Sequence, residues 1–75
     1  MIEELDTLVL TADLPELGLR AGDVGTVIHV YKKAEAFEVE FLTLYGETVA
    51  IATLEASQVR PVHRREITHA RLLRA

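Results

Sequence analysis

Residues 21–31, AGDVGTVIHVY, join a glycine turn to a run of β-branched residues. Gly22 suits a turn position with positive φ, and Asp23 is expected to hydrogen-bond the local backbone. Val24 then begins a strand, inside which Gly25 indicates a bulge or a close approach of another backbone segment. A strand that bends this early allows a short sheet to close on itself.

Strict alternation predicts the two faces of this strand. One face carries Val24, Thr26, Ile28 and Val30, and the other carries Gly25, Val27, His29 and Tyr31. Residues 37–42, FEVEFL, alternate most clearly of all. Their aromatic and aliphatic side chains are expected to point inward, and Glu38 and Glu40 to point to water.

The remaining segments complete a pattern of five short strands. Strands are expected at residues 6–10, 24–31, 37–42, 48–54 and 59–62, with one helical turn at 55–58 and a tight turn around Gly46. The loop at 11–23 carries three leucines, Leu14, Leu17 and Leu19, which are expected to fold back onto the core. Residues 1–62 are therefore predicted to form an all-β, five-stranded SH3-like barrel.

Residues 63–75, HRREITHARLLRA, break this pattern and form a basic C-terminal extension. They contain no glycine or proline, and Ile67, Ala70 and Leu73 can share one helical face, so a short helix is predicted. Alternation also fits part of the segment, which leaves a strand open. We further expect the extension to pack on a barrel, with apolar help from these residues and Leu72.

Charge is distributed unevenly along the chain. Residues 1–59 hold eleven acids against three basic residues, a net charge of −8, whereas residues 60–75 hold five arginines against Glu66, a net charge of +4. An acidic body repels phosphate backbones, so the composition disfavours a general role in nucleic-acid binding.

Length and composition bound the class of protein. The 75 residues allow one domain with a marginal core, because so short a chain buries only about 60% of its unfolded surface. Because the chain has no cysteine, disulfides cannot stabilise this core, and we expect association with a second chain to do so instead. The acidic start and the lack of an apolar run near 20 residues predict a cytoplasmic protein.

Two stretches, LPELGLRAGDVGTV and VEFLTLYGETVA, carry a resemblance to a known family. The chain resembles a small bacterial family of domains of unknown function, number 4926, over roughly residues 6–62. The resemblance implies an SH3-like barrel related in shape to KOW-type barrels, and it implies no activity, cofactor or catalytic residue. It also implies a dedicated protein partner, in an antitoxin-like or accessory role.

No residue pattern indicates catalysis, a cofactor or a metal. Ser57 is the only serine and lacks a nucleophile motif, and the three histidines, His29, His63 and His69, lack metal-ligand spacing. Glu38 and Glu40 alternate with core residues and are expected to form a solvated face with nearby Glu47. The four aromatic side chains are too few for a groove that binds proline-rich peptides.

Two features remain as candidate protein contacts. Residues 48–54, TVAIATL, lack charge on both faces, which indicates either a cover by the tail or the long loop, or a protein interface. The expected apolar contacts are Val49, Ala50, Ile51 and Ala52, and the expected charged contacts are Arg64, Arg65, Arg71 and Arg74. The predicted function is non-enzymatic association with a second copy or with a neighbouring small protein. A KOW-like nucleic-acid or ribosome-associated module is the alternative, and an unrecognised hydrolase comes third.

Overall fold

The computed structural model describes residues 2–73. Its five strands are β1 (Thr7–Leu10), β2 (Val24–Tyr31), β3 (Ala36–Leu42), β4 (Thr48–Glu55) and β5 (Val59–Pro61). They form one antiparallel sheet in the order β4-β3-β2-β1-β5. A single 3-10 turn, Ala56–Gln58, leads from β4 to β5, which pairs with β1 at the opposite edge. The protein is the all-β, SH3-like barrel that the strand pattern predicts.

The core lies on one side of this curved sheet. It is built from Leu8, Leu10, Leu19, Val27, Phe37, Val39, Phe41, Ala52, Leu54 and Val59. The period-two pattern of FEVEFL is confirmed, because its aromatic and aliphatic residues are buried while its glutamates lie on the outer face. Burial of these side chains supplies the main favourable free energy, at about 25 cal/mol per Å² of apolar surface.

Gly25 is required by packing rather than by a turn. A Cβ atom at this position would lie 2.5 Å from Cγ1 of Val39 and 2.9 Å from Cε2 of Phe41. The predicted close approach is therefore real, but side chains of β3 make it rather than backbone, and Gly25 lies within β2 and not in a turn. Gly22 and Gly46 do occupy turns, with φ of +97° and +88°.

The bulge in β2 lies farther along the strand than the sequence suggests. The register against β3 shifts between Val27 and His29, so strict alternation ends there. Val30 consequently packs against the core, whereas Ile28 is exposed. The prediction that these two residues share a face is wrong, because Ile28 is the extra residue that the bulge inserts between Val27 and His29.

The long loop between β1 and β2 folds onto the barrel as its leucines predict, with one exception. Leu19 is buried in the core and Leu14 packs against it, but Leu17 remains exposed. Leu14 and Leu19 form an isolated antiparallel bridge around the 3-10 turn Pro15–Leu17. As predicted, the Asp23 carboxylate accepts a local backbone bond, from the Arg20 amide at 2.8 Å.

The connection between β2 and β3 has an unusual backbone. Lys32, Lys33 and Ala34 have φ of 41°, 56° and 74°, the left-handed region that side chains disfavour. Each such residue costs about 1–2 kcal/mol relative to a right-handed conformation. The hairpin therefore contains local strain that the packing of Ala34 and Val30 against the core offsets.

The extension after β5 is not a helix. Residues 62–73 have no regular secondary structure apart from a turn at 64–65. Of the expected apolar contacts, Ile67 and Leu72 are 92% and 91% exposed, whereas Leu73 is 37% exposed and lines a groove with Val49. An isolated helix of this length is marginal in water, and ion pairs with the barrel hold the segment instead. No helix within residues 2–73 has the length and apolar character needed to cross a membrane.

Candidate protein-binding surface

The four predicted apolar contacts on β4 lie in different environments. Ala52 is buried in the core, and Val49 and Ala50 are half-buried against it. Ile51 is 52% exposed on the outer face. Strict alternation along residues 48–54 would place Val49 and Ile51 on one face, but a bulge next to Phe41 shifts the β4 register and turns Val49 toward the core.

The outer face of β3 and β4 is polar and hydrogen-bonded around these contacts. The Glu38 carboxylate accepts bonds from the Thr53 hydroxyl at 2.6 Å and the Tyr31 hydroxyl at 3.3 Å. The Glu40 carboxylate accepts a bond from the Thr48 hydroxyl at 2.8 Å. Partial desolvation and the Glu38 charge raise the pKa of the Tyr31 phenol. Neighbouring hydroxyls thus hold both carboxylates on the outer face of the sheet.

The β3–β4 hairpin exposes four apolar side chains, which we call the hairpin surface. They are Leu42, Leu44, Tyr45 and Ile51, exposed by 44%, 86%, 94% and 52%. Exposed aromatic and aliphatic groups on one element are typical of protein-binding surfaces. Leu44 and Tyr45 lie in the tight turn immediately before Gly46. The sequence pattern predicted this turn but not the apolar surface on it.

Within the sheet of residues 2–73, one edge of β4 has no neighbouring strand. Ala56 N–H donates to the Glu35 carbonyl at 3.2 Å, which makes 35 and 56 a hydrogen-bonded pair of the ladder. Since such pairs alternate, Ala52 bonds to β3, whereas Ile51 and Thr53 direct their N–H and C=O groups away from it. The Glu55 amide also points away, and the Gln58 side chain accepts its hydrogen bond at 2.9 Å.

We call the four outward backbone groups of Ile51 and Thr53 the edge window. These groups point outward from β4, which is an edge strand of the sheet that residues 2–73 form. The Gln58 cap closes the window at one end, next to Glu55. At the other end, Val49 lines a groove of about 310 Å³ together with the long loop and tail residues 71–73. The loop and tail are thus placed next to the start of β4, and Ile51 and Thr53 stay exposed.

Arg60 of β5 and Arg71 of the tail are both bound to carboxylates of this chain. Arg60 donates two hydrogen bonds to Glu66, at 2.9 Å and 2.7 Å. Arg71 donates from Nε to Asp23 at 2.8 Å, from Nη2 to the same carboxylate, and to the Gly18 carbonyl at 3.0 Å. Arg71 therefore forms an ion pair between the basic tail and the acidic barrel. The sequence alone did not predict that Asp23 would be its partner.

The pKa values of the two acceptors follow from these contacts. Burial opposes ionisation of Asp23, but hydrogen bonds from Arg71 and the Arg20 amide, with the charges of both arginines, hold its pKa below the usual value. The hydrogen bonds from Arg60, with the His63 amide, lower the pKa of Glu66 to about 2. Arg64 and Arg65 are exposed at the turn of the tail, and Arg74 lies outside the described residues.

The groups considered for chemistry are dispersed. Ser57 is exposed, and its carbonyl oxygen accepts a bond from the Thr11 hydroxyl at 3.1 Å. His29 stacks edge-on with Tyr31 and lies 3.6 Å from Glu4. Within residues 2–73, no three histidine or acidic side chains are grouped as a metal site requires.

Comparison with known proteins places the chain in a family. No curated protein and no solved structure matches it. One family model does match, and its description is Domain of unknown function (DUF4926). The match extends over residues 4–61, which include all five strands and end just before the arginine-rich tail. The chain therefore belongs to the DUF4926 family.

Proposed function

We propose that this protein is a non-enzymatic, cytoplasmic module that binds another protein chain through β4 and the hairpin surface. The observation that carries the proposal is the edge window next to Ile51. An outermost strand with open backbone groups is a template for an added strand, and apolar side chains beside it supply contact area. Specific interfaces bury about 1,200–2,000 Å², and the hairpin surface provides a starting point for such an area.

The outer face of the sheet supports a role in association. The family match covers all five strands of the barrel, whose outer face carries carboxylates held by threonine and tyrosine hydroxyls. Such a face complements basic groups on a partner and repels phosphates. An antitoxin-like or accessory partnership with another small bacterial protein fits this surface.

A KOW-like nucleic-acid or ribosome-associated module is the second candidate. Arg64 and Arg65 favour it, because both are exposed at the same turn. However, Arg60 and Arg71 are paired with carboxylates, which removes two of the five arginines of residues 60–75 from the charge available to phosphates.

One pair of experiments separates the two candidates. Affinity purification of the tagged full chain from its native cells should recover a protein partner or an untagged copy, and Ile51→Glu should abolish the recovery. The matched control is Ile67→Glu, which makes the same change at a 92% exposed tail position. Salt-titrated binding to RNA should show no specific affinity. Steeply salt-dependent RNA binding that Arg64→Glu with Arg65→Glu removes would establish the second candidate instead.

A further inference from the structure

The edge window has the geometry of a two-fold symmetric strand pairing. It consists of two residues, Ile51 and Thr53, which flank Ala52 and direct their backbone groups outward. If a second β4 runs antiparallel with Ala52 opposite Ala52, then Ile51 of each copy faces Thr53 of the other. All outward N–H and C=O groups of the two windows are then paired in four hydrogen bonds. We propose that a second copy of this chain occupies the edge window in this register.

The charges of β4 select this register among its neighbours. With Ala52 on the two-fold axis, Glu55 faces the uncharged start of β4 in the other copy. Moving the axis to Ile51 would shift Glu55 toward the turn that carries Glu47, and like charges close to each other destabilise a strand pair. Moving it to Thr53 would direct Ile51 to Glu55, whose amide the Gln58 side chain already holds. The Ala52 register alone satisfies the open groups without apposing acids.

The same register extends the contact beyond the backbone. It brings the hairpin tip of each copy, with Leu44 and Tyr45, alongside the 3-10 turn Ala56–Gln58 of the other. Those two side chains are among the most exposed apolar groups of residues 2–73, at 86% and 94%. Association would also add stability to the small core of these 75 residues, which contain no cysteine to form a disulfide. This inference rests on the proposed function and narrows its partner to a second copy.

A backbone substitution tests the pairing directly. Thr53→Pro removes an N–H that points away from β3, so the β3–β4 ladder keeps its bonds. The matched control is Thr53→Val, which also loses the hydroxyl bond to Glu38 but keeps the N–H. By sedimentation, the wild type and Thr53→Val should be dimers. Thr53→Pro should raise the dissociation constant by about tenfold or more, because two of the four intermolecular bonds are lost.

A cysteine scan tests the register. This test remains informative even if the proline variant fails to fold. The chain has no cysteine, so each of Ala50→Cys, Ile51→Cys, Ala52→Cys and Thr53→Cys introduces a single thiol. Residues facing each other in a non-hydrogen-bonded pair have Cα atoms about 4.5 Å apart, within the range for a disulfide. Mild oxidation should therefore link the Ala52→Cys protein and leave the other three uncrosslinked.

Salt provides a further readout. Each chain carries a net charge of −4, so higher ionic strength should tighten a backbone-paired dimer of two like-charged copies. A wild type that is monomeric at every concentration, a Thr53→Pro dimer, or disulfide formation at a position other than 52 would overturn the inference. If the wild type is monomeric but still captures another protein in an Ile51-dependent manner, the proposed function holds and the dimer inference is wrong. If neither association occurs, both fail.

Discussion

Arg71 lies 48 positions from Asp23 in sequence, yet its guanidinium donates from Nε to the Asp23 carboxylate at 2.8 Å. The two side chains are only 25% and 18% exposed, so water screens this pair less than a typical surface ion pair. The same guanidinium also donates to the Gly18 carbonyl at 3.0 Å. Arg71 thereby ties the tail to both ends of the turn that precedes β2.

Removing this tie should destabilise the protein. We expect Arg71→Gln to lower the free energy of unfolding by about 1 kcal/mol, because a charged, bidentate and partly buried contact is lost. For a chain of this size that corresponds to a fall in Tm of about 4–8 °C, measured by thermal denaturation. Arg64→Gln is the control, since Arg64 is exposed. An equal fall in both variants would mean that net charge, not this contact, is responsible.

Truncation after Val62 should have a larger effect than Arg71→Gln. It removes Glu66, the partner of Arg60, as well as Arg71, the partner of Asp23. The two sites share no partner, so their contributions to the free energy of unfolding should add approximately. Thermal melts and sedimentation of the 1–62 protein check this. If it melts like the full chain, the tail contributes nothing to stability.

The low pKa of Glu66 predicts acid sensitivity in a defined range. Because the folded-state pKa is about 2 and the ordinary value is 4.5, the contribution of Glu66 to stability is fully present above about pH 4.5. It is lost as the pH falls from there toward 2, since protonation breaks the pairing with Arg60. Glu66→Gln should therefore lose less of its Tm over this range than the wild type does. Parallel melting curves of the two proteins between pH 4.5 and 2 would contradict the assignment.

The packing at Gly25 predicts that even one added methyl group destabilises the barrel. Gly25→Ala would place Cβ 2.5 Å from Val39, so the strands must shift, at a cost of about 1–3 kcal/mol. Denaturant unfolding measures this change. Ile28→Ala on the same strand is the control, because Ile28 is 40% exposed and should cost less. A Gly25→Ala protein as stable as the wild type would show that β2 and β3 are not in this close contact.

The left-handed turn between β2 and β3 predicts a stabilising substitution. Lys33 has φ of 56°, which glycine adopts without steric cost, so Lys33→Gly should raise the free energy of unfolding by about 0.5–1 kcal/mol. Lys33→Ala is the matched control, because it removes the same side chain but keeps the strain of a Cβ atom. The difference between the two variants isolates the backbone effect. If alanine stabilises as much as glycine, loss of the lysine side chain is the cause.

The amino-acid sequence by itself determined the number and order of the strands and the inward set of β3. Alternation places Phe37 and Phe41 on one side, and turn glycines such as Gly22 and Gly46 mark where strands end. These features depend on the period of the strand and on local φ preferences, which neighbouring residues define. The family resemblance was also visible at this level, and the match over residues 4–61 confirms it.

Only the tertiary structure decided which side chains of β2 and β4 face solvent. Each strand has a register shift against β3, and each shift exchanges inward and outward positions, which brings Val30 and Val49 against the core. Pairing with another strand produces these shifts, so the strand's own sequence does not reveal them. The contact between Arg71 and Asp23 has the same origin. Because its groups meet through folding across 48 residues, no local pattern of spacing or periodicity encodes it.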